Sequence, residues 1–394
     1  GSWWRARFFA SLDRQLAAEE ELFDQARRAL AVQVRDLEEG LERRGAGAYG
    51  RVTLTVLEQF VPWAREDAAH ERPDRAWDAA EAMLEMARRA SAAAEAVAAG
   101  RAPALPVPRY ETSPREIQGP SFIGLRRWPD GHGARGPVFF TGYGHFDQVR
   151  RDIEAFPAYG CNLIQIEFGP SSVLVAEERT DDRAVRDFLA VCDRAAKAGV
   201  GVNLLLSPHY FPAWALQKWP HLKECRGGFF GYCVHAPEAR QVIETSLRFV
   251  IPRIKDHPAL HSLCLSNEPI STDLSECPQV RADWARWLAA RHGTVAEMNR
   301  RWGSTYAAFA DVPVPKPFAP GAVSVDFVRF NQEEFAGFHR WMADVIHEMA
   351  PAVPVHAKIM MGAHFGRQAH GIWSVDPELL GDLSQIHGND CYYM

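Results

Sequence analysis

The sequence predicts an α/β protein built as a (β/α)8 TIM barrel, of which about six strands are present, with an N-terminal helical extension. Three observations carry that reading. From residue 138 onward, short apolar β-rich runs alternate with amphipathic helices, the pattern of βαβ units around a parallel sheet. Each run ends in polar or aromatic residues, and the C-terminal ends of barrel strands are where such folds carry their chemistry. The sharpest of these ends is Leu260-His261-Ser262-Leu263-Cys264-Leu265-Ser266-Asn267-Glu268-Pro269. Proline cannot donate to a sheet ladder, so this strand stops at Glu268 and leaves the carboxylate at its mouth.

The chain divides into a helical extension over 1–100, a Pro-rich linker over 101–136 and a barrel domain over 137–394. Residues 3–44 read as helix, because Trp4, Phe8, Leu12, Leu16, Phe23, Leu30, Val34, Leu37 and Leu41 recur at helical spacings between Glu and Arg. Val52–Trp63 is ambiguous between strand and helix. Asp74–Ala99 is an Ala-rich helix with Trp77, Met83, Leu84 and Met86 on its apolar side. None of this resembles a catalytic constellation. It suits a helical appendage that packs on the main domain or on a second subunit, which leaves a homo-oligomer open. Pro103, Pro106, Pro108, Pro114 and Pro120 make the following stretch an extended linker.

The expected strands are Val138–Tyr143, Asn162–Phe168, Gly201–Leu206, the Leu260–Glu268 stretch, Val353–Met361 and Ile386–Tyr393. Between them lie helices over Asp147–Tyr159, Asp182–Ala198, Pro237–Ile254 and Asp326–Met349, with an insertion after the fourth strand. The strand ends deliver Tyr143 and His145, then Glu167, then His209, Tyr210 and Trp214, then Asn267 and Glu268, then His356 and Lys358, then Asn389, Asp390 and Tyr392. One such residue means little, since a lone loop-edge His is more often structural. Six successive strands doing so is what an active site assembled from many loops requires. Acidic, hydroxyl-binding and aromatic groups in this mixture suit a polyhydroxylated substrate, and no phosphate-binding glycine fingerprint competes with it.

Bulk properties exclude other classes. The formal net charge is -6 with no block of like charge, which argues against nucleic acid and anionic membranes as partners. No apolar run is long enough to span a bilayer. The seven cysteines are scattered singly without a C-x-x-C pair, so neither a disulfide framework nor a metal site is expected, although Cys225 and Cys233 bracket a Gly-rich loop and could bridge or join one. No cofactor is implied. Unpaired thiols and the lack of a visible signal peptide slightly favour the cytoplasm.

Asn267-Glu268-Pro269 at the end of a fourth barrel strand resembles the acid/base motif of clan A glycoside hydrolases. The insertion sharpens the likeness. Trp284-Ala285-Arg286-Trp287-Leu288, His292-Gly293-Thr294 and Asn299-Arg300-Arg301-Trp302-Gly303-Ser304 are similar to a segment of glycoside hydrolase family 42 β-galactosidases. Asp326-Phe327-Val328-Arg329-Phe330 resembles the start of that family's next helix, and Gly388-Asn389-Asp390-Cys391-Tyr392 its sixth-strand motif.

That resemblance implies a retaining double displacement on β-glycosides. Glu268 would be the general acid/base, and Asn267 would bind the sugar 2-hydroxyl. Trp214 or Tyr210 would offer a stacking face, with His145, Glu167, His209, Lys358, Asn389, Asp390 and Tyr392 in the substrate site. The nucleophile of the clan lies at the seventh strand, so it is expected beyond Met394. Glu167 is the nearest other carboxylate, but its place on the second strand suits binding or structure. Agarase-like or β-mannosidase-like specificity, or a non-catalytic carbohydrate-binding barrel, are the alternatives.

Overall fold

The computed structural model describes residues 47–70, 72–103, 109–112, 116–128, 130–225, 229–271, 277–315, 320–360 and 374–390. The helix expected over 3–44, the C-terminal end of the sixth strand and Tyr392 lie outside these residues. The chain forms two compact units, Gly1–Glu111 with Leu125–Val138 and Ala155–Cys161, and Thr112–Gly124 with Phe139–Glu154 and Asn162–Met394.

In the first unit, helices α1 (Gly47–Ala69) and α2 (Pro73–Ala98) form a hairpin. The ambiguous stretch over Val52–Trp63 is therefore helical. Its β-branched residues imitate a strand, but Leu57, Val61 and Ala64 recur at helical spacing and pack on Ala79, Met83, Ala87 and Ala90. Tertiary burial outweighs the weak β preference of Val and Thr, and even the loss of a backbone donor at Pro62 inside the helix. Arg109 and Tyr110 pair antiparallel with Arg127 and Arg126 in the same unit.

In the second unit, Glu116–Gln118 and Ser121–Ile123 pair antiparallel around a turn at Gly119-Pro120, where Gly119 has φ 55°. The stretch read as linker thus carries short strands. Its prolines hid them, because composition alone does not reveal pairing between residues that flank a turn.

The main sheet of this unit has six parallel strands whose spatial order is their chain order. They are β1 (Gly142–Tyr143), β2 (Leu163–Glu167), β3 (Gly201–Leu205), β4 (Leu260–Asn267), β5 (Val355–Met360) and β6 (Gly388–Asp390). This is the strand succession of a TIM barrel, with crossover helices α3 (Arg183–Ala198) after β2, α4 (Pro237–Ile254) after β3 and α7 (Ala322–Met349) after β4. α3 buries Val185, Phe188, Val191, Cys192 and Ala195 on one stripe and ends at Gly199, whose φ of 79° makes the left-handed C-cap. Burial of each larger aliphatic or aromatic side chain there contributes about 1.5–3 kcal/mol.

β1 is shorter than the expected Val138–Tyr143. The Asn162 side chain donates to the Phe139 carbonyl at 2.9 Å and accepts from the Thr141 N–H at 2.8 Å, so these backbone groups are satisfied outside the ladder. Gly142 approaches β2 so closely that a Cβ would lie 1.7 Å from the Leu163 carbonyl oxygen. The helix expected over Asp147–Tyr159 reduces to Gln148–Arg151, with a separate 3-10 turn at Phe156–Tyr159 that Pro157 starts.

The insertion after β4 is helical. It comprises α5 (Pro278–His292) and α6 (Val295–Trp302), capped by the Thr294 hydroxyl on the Glu297 N–H at 3.2 Å. Fully buried Trp284 stacks on Trp287 and Trp302 at centroid distances of 5.5 and 6.5 Å and meets Phe327 of α7 edge-on at 5.4 Å. Asp326, also on α7, accepts from His292 Nε2 and from Trp302 Nε1, each at 3.0 Å.

Candidate active site

Glu268 leaves the sheet one residue past β4. Its backbone has turned to φ 44°, while its N–H still donates to the Lys358 carbonyl at 2.8 Å. A glutamate in left-handed conformation costs roughly 1–2 kcal/mol, a strain that clusters at functional sites. Ser207, just past the end of the neighbouring β3, shares the feature with φ 42°. The Glu268 side chain is buried, and its Oε1 has no hydrogen-bond partner among the described residues. Burial pushes the Glu268 carboxyl above the ordinary carboxylate range. The adjacent Asp390 charge and a hydrogen bond with Asp390 push further, and the Lys358 ammonium opposes them. A carboxyl raised above its ordinary range is shifted in the direction a general acid requires.

Beside it, Asn267 lies in register with Lys358, and its Oδ1 is likewise buried without a partner among the described residues. Lys358 Nζ lies 3.3 Å from Asp390 Oδ2 and 3.4 Å from Gln165 Oε1. Three adjacent strands therefore bring Asn267, Glu268, Lys358 and Asp390 together.

A second cluster sits on β2 and the loops after β1 and β3. The Ser207 hydroxyl donates to Glu167 Oε1. His145 Nε2 lies 3.7 Å from Glu167 Oε2, and His209 Nε2 lies 4.0 Å from Oε1. The Tyr210 ring is 4.2 Å from that of His209, and burial followed by the Glu167 charge and hydrogen bond raises the Tyr210 phenol above its usual range. Burial lowers His209, which keeps it neutral despite the facing Glu167. Lys358 and His145, whose Nδ1 is 3.2 Å away, both reach Gln165 Oε1, so Gln165 joins the two clusters.

Other expected site residues fall elsewhere. Trp214 donates its indole N–H to the Leu174 carbonyl at 2.9 Å and packs near Trp219, so its polar edge is spent on the fold. Asn389 is exposed and pairs with buried Ile359, on the face of the sheet opposite to Lys358 and Asp390. Tyr392 lies outside the described residues.

The sequence reading passed over an interior network. Gln165 Nε2 donates to Asn203 Oδ1 at 2.7 Å, and Asn203 Nδ2 reaches Ser262 Oγ at 2.6 Å and His356 Nε2 at 3.1 Å. The period-2 alternation of Leu163-Ile164-Gln165-Ile166-Glu167 puts Gln165 on the face of Glu167, which was a usable signal.

One group of metal-capable side chains occurs among the described residues, His235 with Asp283 and Glu334. His235 Nδ1 donates to Asp283 Oδ2 at 3.0 Å, Arg286 pairs with Asp283, and burial lowers His235 to about 4. A neutral imidazole and an already paired carboxylate make an internal hydrogen-bonded cluster. Cys277, against the expectation of unpaired cysteines, is disulfide-bonded, and the free thiol of Cys233 lies 3.2 Å from its sulfur.

Residues 143–387 match a family model described as beta-galactosidase, glycoside hydrolase family 42. The chain belongs to glycoside hydrolase family 42. Among curated relatives, this family 42 chain is 22% identical over 259 residues to Beta-galactosidase LacZ of Heyndrickxia coagulans, covering 59% of the chain and 38% of that protein. It is 27% identical over 180 residues to Beta-galactosidase bgaB of Geobacillus kaustophilus, covering 41% of the chain and 27% of that protein. The chain therefore spans well under half the length of these relatives.

Among solved structures, the apo family 42 exo-carrageenase of Bacteroides ovatus superposes with a TM-score of 0.69 at 19% identity, covering 95% of this chain and 52% of that one. The beta-galactosidase of Marinomonas ef1 gives a TM-score of 0.54 at 19% identity, covering 64% and 41%. At such identities these structures share the barrel fold. No helix of the family 42 chain, among the described residues, is long and apolar enough to cross a membrane.

Proposed function

We propose that this family 42 protein is a retaining glycoside hydrolase that cleaves β-galactosidic bonds, with Glu268 as general acid/base. The observation that carries the reading is the state of Glu268. It is buried, held in left-handed backbone directly after Asn267 at the end of β4, and its carboxyl is raised above the usual range.

In the first half-reaction the Glu268 carboxyl gives its proton to the glycosidic oxygen as the bond to the anomeric carbon breaks. A second carboxylate, about 5 Å from the first in retaining enzymes, attacks from the opposite face. In the second half-reaction the Glu268 carboxylate takes a proton from water, which displaces the enzyme and restores the starting configuration. Asn267 bonds the sugar 2-hydroxyl, a contact worth most in the oxocarbenium-like transition state. Glu167, set among Ser207, His145 and His209, accepts hydroxyl donors, and Lys358 and Gln165 supply further polar contacts. The curated relatives named above are beta-galactosidases, which supports galactose in the site.

Glu268→Ala in the intact protein tests this with a dinitrophenyl β-galactoside, whose leaving group needs no acid. Release of β-galactosyl azide when azide is added is the expected result, because azide needs no general base. Unchanged turnover without azide would remove Glu268 from the reaction. The same assay with an aryl β-mannoside and agaro-oligosaccharides tests the sugar, and preference for either would overturn the galactoside assignment.

A further inference from the structure

Glu268 belongs to a row of three charged groups on neighbouring strands. Asn267 pairs with Lys358 across β4 and β5, and Lys358 pairs with Gly388 across β5 and β6. Glu268 is one residue past the first of these positions and Asp390 two residues past the last. One Asp390 oxygen is committed to Lys358 Nζ at 3.3 Å, and its carboxylate hydrogen-bonds the Glu268 carboxyl. Lys358 is itself fixed from the other side by Gln165 at 3.4 Å.

We propose that Asp390 is a positioning residue that holds the catalytic proton on Glu268, and that Lys358 sets the strength of that hold by pairing with Asp390. The inference rests on the reading of Glu268 as the acid/base. Two adjacent carboxyl groups cannot both ionise without severe repulsion, so the pair keeps a proton on one member. Burial favours keeping it on Glu268, which donates to Asp390, while the ammonium of Lys358, 3.3 Å from Asp390, offsets part of that carboxylate's charge and weakens the hold. The direction of the Glu268 shift agrees, raised by burial first, then by the Asp390 charge and hydrogen bond, and lowered only by Lys358. On the far side of the site the facing groups are Glu167, His145 and His209.

The arrangement serves both halves of a double displacement. A nucleophilic carboxylate loses its charge when it is glycosylated, so its help in keeping Glu268 protonated ends there. Asp390 is not consumed. Its charge keeps Glu268 a stronger base when the proton must be taken from water, and Lys358 prevents that basicity from trapping the proton. Asp390 and Lys358, assigned on sequence grounds to substrate contact, thereby act through Glu268.

The test is a 13C NMR titration of the Glu268 carboxyl carbon, assigned by its loss in Glu268→Gln, in the unaltered protein and in the Asp390→Asn and Lys358→Met variants. The midpoint is expected to fall in Asp390→Asn and to rise in Lys358→Met. Unfolding cannot mimic this, because it would bring both variants to the ordinary glutamate value. Equal midpoints in the three proteins, or shifts of one sign, would overturn the proposal. In kinetics, Asp390→Asn is expected to move the alkaline limb of kcat/KM to lower pH and leave the acid limb in place, with Asp390→Glu restoring part of the shift. Normal hydrolysis by Glu268→Gln alongside opposite NMR shifts would overturn the acid/base reading and leave only the charge coupling.

Discussion

Glu268 donates its backbone N–H to the Lys358 carbonyl at 2.8 Å although its own φ has already reached 44°. The sheet thus grips the residue at the moment the chain leaves it, and the side chain is aimed by a backbone that cannot relax without breaking that bond. Glu268→Gln keeps this geometry. For a poor leaving group, kcat is expected to fall by roughly 10²–10⁴-fold, the usual worth of a general acid. The thermal midpoint is expected to stay or rise, since a buried ionisable group becomes neutral. A loss of stability together with unchanged kcat would contradict both statements.

Asn203 bridges Gln165, Ser262 and His356 inside the sheet. Asn203→Ala strands these buried partners, and each orphaned polar group costs about 1–3 kcal/mol. A loss of at least about 2 kcal/mol is expected in urea unfolding. Because Gln165 also positions Lys358, the same variant is expected to raise KM.

Three buried histidines give the fold a pH dependence. Burial lowers His235, His339 and His356 to about 4 each. In the unfolded chain an imidazole takes up its proton near 6.5. Between these values the unfolded state holds more protons, so stability is fully present above about pH 6.5 and is lost as pH falls toward 4. One such shift amounts to at most about 3 kcal/mol. Calorimetry from pH 8 to 4 is expected to show a falling midpoint. His339→Gln is expected to flatten the curve, since this ring lies fully buried between Ser266 and the Phe335 carbonyl.

Gly142→Ala is expected to cost about 2 kcal/mol or more, because a Cβ there would meet the Leu163 backbone at 1.7 Å and one strand must move. The loss should appear in denaturant midpoints and as faster hydrogen exchange at Leu163 and Ile164.

Much of the barrel was legible because its signals are local. The stripe of α3, its Gly199 cap and the stop at Pro269 are written in adjacent residues, and so is the placement of Glu268. What escaped depends on partners distant in sequence. Nothing beside Phe139 reveals that the Asn162 amide will take its carbonyl and shorten β1. Nothing beside Trp214 reveals that the Leu174 carbonyl will claim its indole. Asn389 and Asp390 part for another reason, since neighbouring residues on a strand point to opposite faces and only Asp390 of the two faces Lys358.

The aromatic stack of the insertion has an engineering consequence. Asp326 receives both His292 and Trp302, so two separate helices of the insertion are latched to one carboxylate on the barrel's next helix. The insertion behaves as a cassette seated at Asp326, with a second polar contact from Trp287 Nε1 to Glu333 of α7 at 2.7 Å. Exchanging it between family members would require His292, Trp302 and Asp326 to travel as a set together with Trp287 and Glu333, and a graft lacking one would be held by fewer polar contacts.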